Sequence, residues 1–334
     1  MKKTLLALTI STISFSSLAA NTSSENSKPT FEFDSMHKDQ FSVAGTVGVG
    51  GYYDTKTDAF YDDWATAITL AVNYKNNRLL GYLEVDLEAN YNTDTDRVNI
   101  PKESGLNTDI DKAWIGFDTD FGIASIGWEN DTALDRVDGA GDFTYELGSS
   151  VSDGDDAFNV VKFQGDTSGI AYAVSYFETD NSHKTADKGV NGYLGYEHEV
   201  FNVYVGYEDR DDADFDLMTL TGNVSLDSIK LGMNLWKENG QQDVSDNTDN
   251  LEEVGYYTSI AYSPSSNYTF ATGYAHVDEK SNSASTITTS YVNIAAMYDS
   301  LDKFTAGVDI RRDLDVNSGE NKETYVFASA FYYF

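Results

Sequence analysis

The sequence predicts an all-β fold, a 16-stranded antiparallel transmembrane β-barrel, on three observations. Apolar and polar residues alternate with a period of two from residue 41 to residue 334, the spacing that separates the two faces of a strand. The connections between the predicted strands alternate between short and long. The composition, with 23 Tyr and 18 Phe but 3 Pro in 334 residues, favours sheet over helix.

The alternation is clearest over residues 78–91. One face carries Leu79, Leu83, Val85, Leu87 and Tyr91, and the other carries Arg78, Tyr82, Glu84, Asp86, Glu88 and Asn90. Acids at successive positions of the second face indicate that this face contacts water. In the second strand Trp64 and Tyr74 flank an aliphatic face, which is the order expected of a strand whose aromatic ends lie at the two interfaces of a bilayer.

The period-two pattern divides the chain into sixteen predicted strands. They cover residues 40–53, 64–74, 78–91, 109–119, 121–129, 157–164, 169–178, 189–199, 200–208, 214–225, 227–237, 253–263, 266–277, 287–298, 301–311 and 322–334. Longer connections are predicted at 54–63, 92–108, 130–156, 179–188, 209–213, 238–252, 278–286 and 312–321. Short turns at one end and long loops at the other are typical of outer-membrane barrels, and an even strand number lets the first and last strands pair.

The N-terminal residues predict a secretory leader. Lys2 and Lys3 precede a mostly apolar run, and the cleavage-site sequence Ser17-Leu18-Ala19-Ala20, rich in small residues, follows, so we expect residues 1–20 to be a cleaved signal peptide. Residues 21–39 form a polar segment, and residues 40–334 form the barrel. The absence of cysteine in the sequence excludes a disulfide framework. The formal net charge of −33 disfavours nucleic acid as a partner.

Two further features carry a resemblance to a known family. The last strand ends in Tyr332 and Phe334, and the longest connection, after the fifth strand, contains an acid, a glycine-rich turn and a second acid at Asp138–Asp142. With the sixteen strands and the leader, these features resemble the Gram-negative general porins, and among them the acidic porins of marine Vibrio-type bacteria. The resemblance implies that Tyr332 and Phe334 are an assembly signal read by the barrel-assembly machinery.

The resemblance also implies that the third loop folds into the barrel and narrows it. The acids available for this constriction are Asp131, Asp135, Asp138, Asp142 and Glu146. We expect Asp138 and Asp142 to lie closest to the narrowest point. An ordinary external loop with solvated acids is the alternative, but a loop of this length is usually functional.

The opposite wall departs from the family, which commonly has arginine after the glycine that ends the fifth strand, where this chain has Trp128. The predicted pore wall is Arg78, Glu84, Asp86, Glu88, Lys112, Trp128, Lys162, Lys230, Lys303, Asp309 and Arg311. Because the wall acids and the loop acids together outnumber these bases, the pore is expected to favour cations.

The predicted function is a water-filled outer-membrane channel for passive diffusion of small hydrophilic solutes and ions. No catalytic constellation, cofactor or metal site is expected, because the four histidines lack metal-ligand spacing. Expected partners are membrane lipid and lipopolysaccharide, and the resemblance implies a homotrimer. One alternative is a sugar-specific channel, with the inward aromatic candidates Tyr82, Trp114, Trp128, Tyr193, Tyr204 and Trp236. The other is a soluble secreted β-sandwich binding protein.

Overall fold

The computed structural model describes residues 39–62, 64–94, 104–128, 131–151, 157–179, 188–211, 215–240, 251–281, 286–300, 303–317 and 321–334. Regular structure in these ranges is β-strand, apart from one 3₁₀ turn at Leu134–Arg136. No helix among the described residues is long and apolar enough to cross a bilayer. The predicted leader and most of the polar segment 21–39 lie outside the described residues.

The strands follow one another in chain order. They are β1 (Gln40–Asp54), β2 (Ala59–Asp62), β3 (Ala67–Asn76), β4 (Leu79–Asn92), β5 (Gly105–Asp118), β6 (Ile123–Trp128), β7 (Ala157–Thr167), β8 (Ile170–Thr179), β9 (Lys188–Glu197), β10 (Phe201–Arg210), β11 (Phe215–Leu226), β12 (Ile229–Gly240), β13 (Leu251–Ser265), β14 (Tyr268–Ser281), β15 (Ile287–Asp299), β16 (Phe304–Asp315) and β17 (Thr324–Tyr333). Each pairs antiparallel with its neighbours in one continuous sheet.

The sheet closes into a barrel, which confirms the predicted fold. β17 pairs with β1 from Thr46↔Tyr333 to Asp54↔Tyr325, so both sheet edges are covered. β2 and β3 both pair with β1 and together occupy one position, so the barrel has 16 strand positions. Because a β-sandwich consists of two packed sheets and this fold is one closed sheet, the β-sandwich alternative is excluded.

The predicted alternation of short and long connections is also present. Tight turns join β3 to β4, β7 to β8 and β11 to β12, where Asn77, Ser168 and Asp227 adopt φ values of 52°, 51° and 51°. The longest connection lies between β6 and β7. One end of the barrel therefore carries short turns, and the other carries the long loops.

The two faces of the strands follow the predicted period. In β4, Leu83 and Leu87 are 41% and 44% exposed on the outside, whereas Glu84 and Glu88 on the inside are each 3% exposed. Exposed aliphatic residues recur on the outer face of most other strands. This is the arrangement that a lipid-facing barrel requires.

Two tryptophans were assigned to the wrong face. Trp64 was expected outside, but it lies in the irregular segment between β2 and β3, where Asp62 accepts hydrogen bonds from the backbone N–H groups of residues 64–66. This turn breaks the alternation, and the indole stacks inside the barrel on Phe327 and Phe331. Trp128 was expected on the pore wall, but it shares the outer face with Ile126 and is 47% exposed.

Candidate functional site in the barrel lumen

The third loop, described over residues 131–151, lies inside the barrel, as predicted. Its backbone N–H groups donate to inward side chains of distant strands, for example from Ala133 to Ser175 on β8 at 2.9 Å. Gly141 N–H donates to Asn234 on β12 at 2.8 Å. The Tyr145 hydroxyl lies 2.7 Å from that of Ser329 on β17. The loop therefore follows the inner wall from β8 round to β17.

A lysine clamp, formed by Lys112 on β5 and Lys162 on β7, holds the beginning of the loop. The Lys112 ammonium lies 2.9 Å from the Asp131 carboxylate. The Lys162 ammonium donates to the Asp131 carbonyl oxygen at 2.6 Å. Both lysines are less than 10% exposed. They face inward, as predicted, but their charges are used to attach the loop.

The next residues of the loop bury apolar side chains against the wall. Leu134 and Val137 are 0% and 1% exposed and pack in a cluster with inward residues of β8–β15. Asp135 accepts a hydrogen bond from Thr132 at 2.7 Å. Burial raises the pKa of Asp135, and the neighbouring Asp131 charge raises it further. This carboxyl is therefore part of the packed loop.

In its middle the loop backbone touches the barrel backbone. A Cβ atom at Gly232 on β12 would overlap the Gly141 carbonyl oxygen, and a Cβ atom at Gly141 would overlap the backbone of Met233. Ser259 on β13 donates to the Gly141 carbonyl at 2.7 Å. Gly141, in the Asp138–Asp142 turn, must therefore be a glycine, because a side chain there would overlap the backbone of β12.

Asp138 and Asp142, the acids expected at the narrowest point, accept hydrogen bonds within the loop. Asp138 accepts from Gly139 N–H at 2.6 Å and from the Ser150 hydroxyl at 3.3 Å. Asp142 accepts from the N–H and the hydroxyl of Thr144 at 2.8 and 2.7 Å. These hydrogen bonds hold both side chains against the loop to which they belong.

An aspartate nest holds the end of the loop. One oxygen of Asp309 on β16 accepts the consecutive backbone N–H groups of Tyr145, Glu146 and Leu147 at 3.2, 3.0 and 2.9 Å. The Asn293 amide also donates to Asp309, at 3.2 Å. Asp309 is 0% exposed. A predicted wall acid thus binds the loop backbone.

Glu146 connects the end of the loop to an aromatic cluster that the sequence reasoning missed. It accepts a hydrogen bond from the Tyr52 hydroxyl at 2.6 Å. The Tyr52 ring packs on Phe327 with centroids 4.7 Å apart. The period of two in β17 places Tyr325, Phe327, Phe331 and Tyr333 on the inner face. That period could have revealed the cluster, but the last strand was interpreted as an assembly signal.

The other acids of the predicted wall lie on β4. Glu84 is buried and accepts a hydrogen bond from Tyr82. Glu88 is also buried, whereas Asp86 is half-buried. All three share the inward face, but two of them are enclosed by protein. The water-contacting acidic wall expected from the sequence is therefore reduced on this strand.

The remaining basic wall candidates are spread along the barrel. Arg78 lies at a short turn, 2.7 Å from Asp120, and Lys303 is exposed just before β16. The Lys230 ammonium lies 5.5 Å from the centre of the Phe143 ring of the loop. Arg311 lies 3.8 Å over the Tyr291 ring and 3.2 Å from Asp313. The structure therefore brings no row of these bases together opposite the loop.

The inward aromatic candidates for a sugar path are mostly covered. Tyr82, Tyr193, Tyr204 and Trp236 are inward but at most 7% exposed. Trp236 donates to Glu253 at 2.7 Å. Trp114, half-buried, stacks on Tyr82 with centroids 5.7 Å apart. Four of these candidates are therefore covered by protein.

Tyr332 and Phe334 lie on the outer face, 45% and 52% exposed. Phe334 also exchanges two backbone hydrogen bonds of 3.0 Å with Gly45. Their role as an assembly signal stays a prediction. Within the described ranges, no group of three or more His, Cys, Asp or Glu residues is arranged to hold a metal ion.

A family model described as Gram-negative porin matches residues 6–318. No curated protein sequence matches the chain.

Solved structures are similar in fold at low identity. OmpT, an outer membrane protein of Vibrio cholerae, is 14% identical, with a TM-score of 0.68 over 89% of this chain and 98% of that one. An anion-selective porin from Comamonas acidovorans is 13% identical, with a TM-score of 0.62 over 89% and 100%. OmpF of Salmonella typhi, solved in complex with daunomycin, is 13% identical, with a TM-score of 0.65 over 88% and 97%.

Proposed function

Because the chain belongs to the Gram-negative porin family, we propose that it forms a water-filled pore for small hydrophilic solutes in which cations pass more readily than anions. The protein is a multi-pass β-barrel of the outer membrane. The closed sheet, apolar outside and polar inside, gives solutes a path that avoids lipid. The pore acts by diffusion, with no cofactor and no reaction.

The balance of acids and bases in the lumen and the loop supports the cation preference. Lumen-side bases pair with acids: Lys112 with Asp131, Arg136 with Glu197, Arg210 with Glu208 and Arg311 with Asp313. The loop over residues 131–151 itself contributes five acids, Asp131, Asp135, Asp138, Asp142 and Glu146, against one base, Arg136. This excess of acids beside the solute path raises the local concentration of cations.

The test is the reversal potential of single channels in a potassium chloride gradient. We expect the wild type to favour potassium, and Asp138→Asn and Asp142→Asn to reduce that preference while keeping one acceptor oxygen at each position. Asp227→Asn is the matched control, because it removes one acid at an exposed short turn with a φ that asparagine also adopts. An anion preference in the wild type would contradict the proposal.

We further propose a homotrimer in which the second loop, residues 92–108, contacts a neighbour, in a membrane rich in lipopolysaccharide. OmpT of Vibrio cholerae has been solved in a form described as a trimer, which supports this assembly. Light scattering of the detergent-solubilised protein tests the trimer, and a monomer mass would contradict it. N-terminal sequencing of the exported protein tests cleavage after residue 19 or 20.

A further inference from the structure

An aromatic strip runs along the inner face of the barrel where its first and last strands meet. It consists of Tyr52, Tyr61, Trp64, Tyr145, Phe327, Phe331 and Tyr333. Tyr52 and Tyr61 stack with centroids 5.0 Å apart and planes within 14°. The Trp64 indole lies 5.6 and 5.8 Å from Phe327 and Phe331, with interplanar angles of 14° and 15°. The strip thus contains two sets of nearly parallel rings, joined by the tilted contact between Tyr52 and Phe327.

The neighbouring strands make room for these rings. A Cβ atom at Gly48 on β1 would lie 2.7 Å from the Phe331 ring. A Cβ atom at Gly307 on β16 would lie 2.6 Å from the Tyr145 ring. Because large inward residues on β17 alternate with small ones beside them, the strip is built into the wall and its rings are held in place.

The strip has apolar faces and polar edges. Phe327 and Phe331 form its base, at 1% and 4% exposure, and the tyrosines and Trp64 are half-buried above them. The Trp64 indole N–H donates to the Tyr52 hydroxyl at 2.9 Å. The Tyr333 hydroxyl lies 3.0 Å from that of Thr305. Flat rings with hydroxyl groups and the Glu146 carboxylate at their edges can bind a ligand that is apolar on one face and polar around its rim.

A pyranose ring has this shape, since its C–H groups form an apolar face and its hydroxyls project from the edge. A purely apolar solute would match the ring faces but not the hydroxyl groups and the Glu146 carboxylate at their edges. An organic cation is the other class of ligand that aromatic rings bind, and the experiment below distinguishes it from a sugar. We propose that the aromatic strip is a binding track for neutral oligosaccharides, an inference that rests on the proposed channel function.

The experiment is single-channel recording in planar bilayers with maltohexaose added to one side. We expect reversible, concentration-dependent block of the wild-type current. Trp64→Leu and Tyr61→Leu each keep an apolar side chain but remove a flat ring. We expect each substitution to weaken maltohexaose binding about tenfold, which corresponds to the loss of one aromatic stacking contact. Two variants at different points of the strip guard against a folding defect in either one.

Phe60→Leu is the matched control. Phe60 packs on Tyr53 at 4.7 Å on the outer face of the same strand pair and is 56% exposed, so its loss should leave the block unchanged. A normal ion current without maltohexaose block would overturn the sugar track and leave the channel intact. Block by tetraethylammonium with no block by maltohexaose would assign the strip to cations and also overturn it. Absence of any ion current would refute the channel itself, and the track with it.

Discussion

The two ends of the third loop are attached to the barrel in opposite ways. At the lysine clamp, positive side chains of β5 and β7 bind the carboxylate and the carbonyl of Asp131. At the aspartate nest, one negative side chain of β16 binds three backbone N–H groups. The clamp depends in part on the identity of a loop side chain, whereas the nest uses groups that every residue but proline possesses. The clamp is therefore sensitive to substitution in the loop as well as in the wall, and the nest mainly to substitution in the wall.

Loss of Asp309 should have the largest effect of any single change to these attachments. Asp309→Leu leaves three N–H groups and the Asn293 amide without their buried acceptor, at a cost of about 3–5 kcal/mol. We expect a lower urea midpoint of unfolding in lipid vesicles and frequent current closures as the end of the loop moves. Asp309→Asn retains one acceptor oxygen and should show a smaller loss. Equal behaviour of the two variants would contradict the nest.

Loss of the Lys112 ammonium should cost less, about 1.5–3 kcal/mol, because Lys162 still holds the Asp131 carbonyl. Lys112→Met preserves the aliphatic stem and removes the charge. A double-mutant cycle with Asp131→Asn measures the coupling free energy between the two side chains. The proposed clamp would be wrong if the two substitutions were additive.

The contact of the loop with β12, which lies between the lysine clamp and the aspartate nest, can be tested with a single methyl group. In Gly232→Ala the added Cβ overlaps the Gly141 carbonyl oxygen, so the loop must shift, at about 1–3 kcal/mol. Gly105→Ala is the control, since a Cβ there meets nothing within 4 Å. Unfolding midpoints and single-channel conductance should change for residue 232 and stay unchanged for residue 105. A shift of similar size in both variants would mean that the loop does not rest on β12.

We expect the smallest effect from a substitution that lies away from both the lysine clamp and the aspartate nest. Arg78 pairs with Asp120, whose side chain is 73% exposed at a short turn, so Arg78→Ala should cost less than about 1 kcal/mol. Conductance and ion preference should match those of the wild type. A change in ion preference would place Arg78 on the solute path and revive its assignment to the pore wall.

Strand positions were predictable because the alternation that identifies them is local. The observed β4, Leu79–Asn92, differs from the predicted 78–91 by one residue at each end, and the outer positions of Leu83 and Leu87 follow directly. The prediction from alternation was wrong where the backbone is irregular. Around Trp64 the Asp62 turn interrupts the period, and β2 was missed because it spans only Ala59–Asp62.

The site was predictable in part. The loop and its acids were identified, but Trp128 was assigned by position after Gly127, although the period of β6 places it outside with Ile126. Alternation predicts the face of a strand on which a residue lies, but not the residue that it contacts. The contacts of Lys112, Lys162 and Asp309 with the loop therefore could not be predicted. In each case the partner lies in the loop, between 19 and 164 positions away in sequence.

By itself the sequence determined that this chain is a closed barrel with a wet inside, because period-two patterning and turn length act within a few residues. The tertiary structure alone decided which inward charges face the solute path and which hold the loop. Residues 145 and 309 meet across a separation of 164 positions, through backbone N–H groups that carry no sequence signal. The aromatic strip likewise exists because closure brings β17 beside β1, which joins rings from the two ends of the barrel domain.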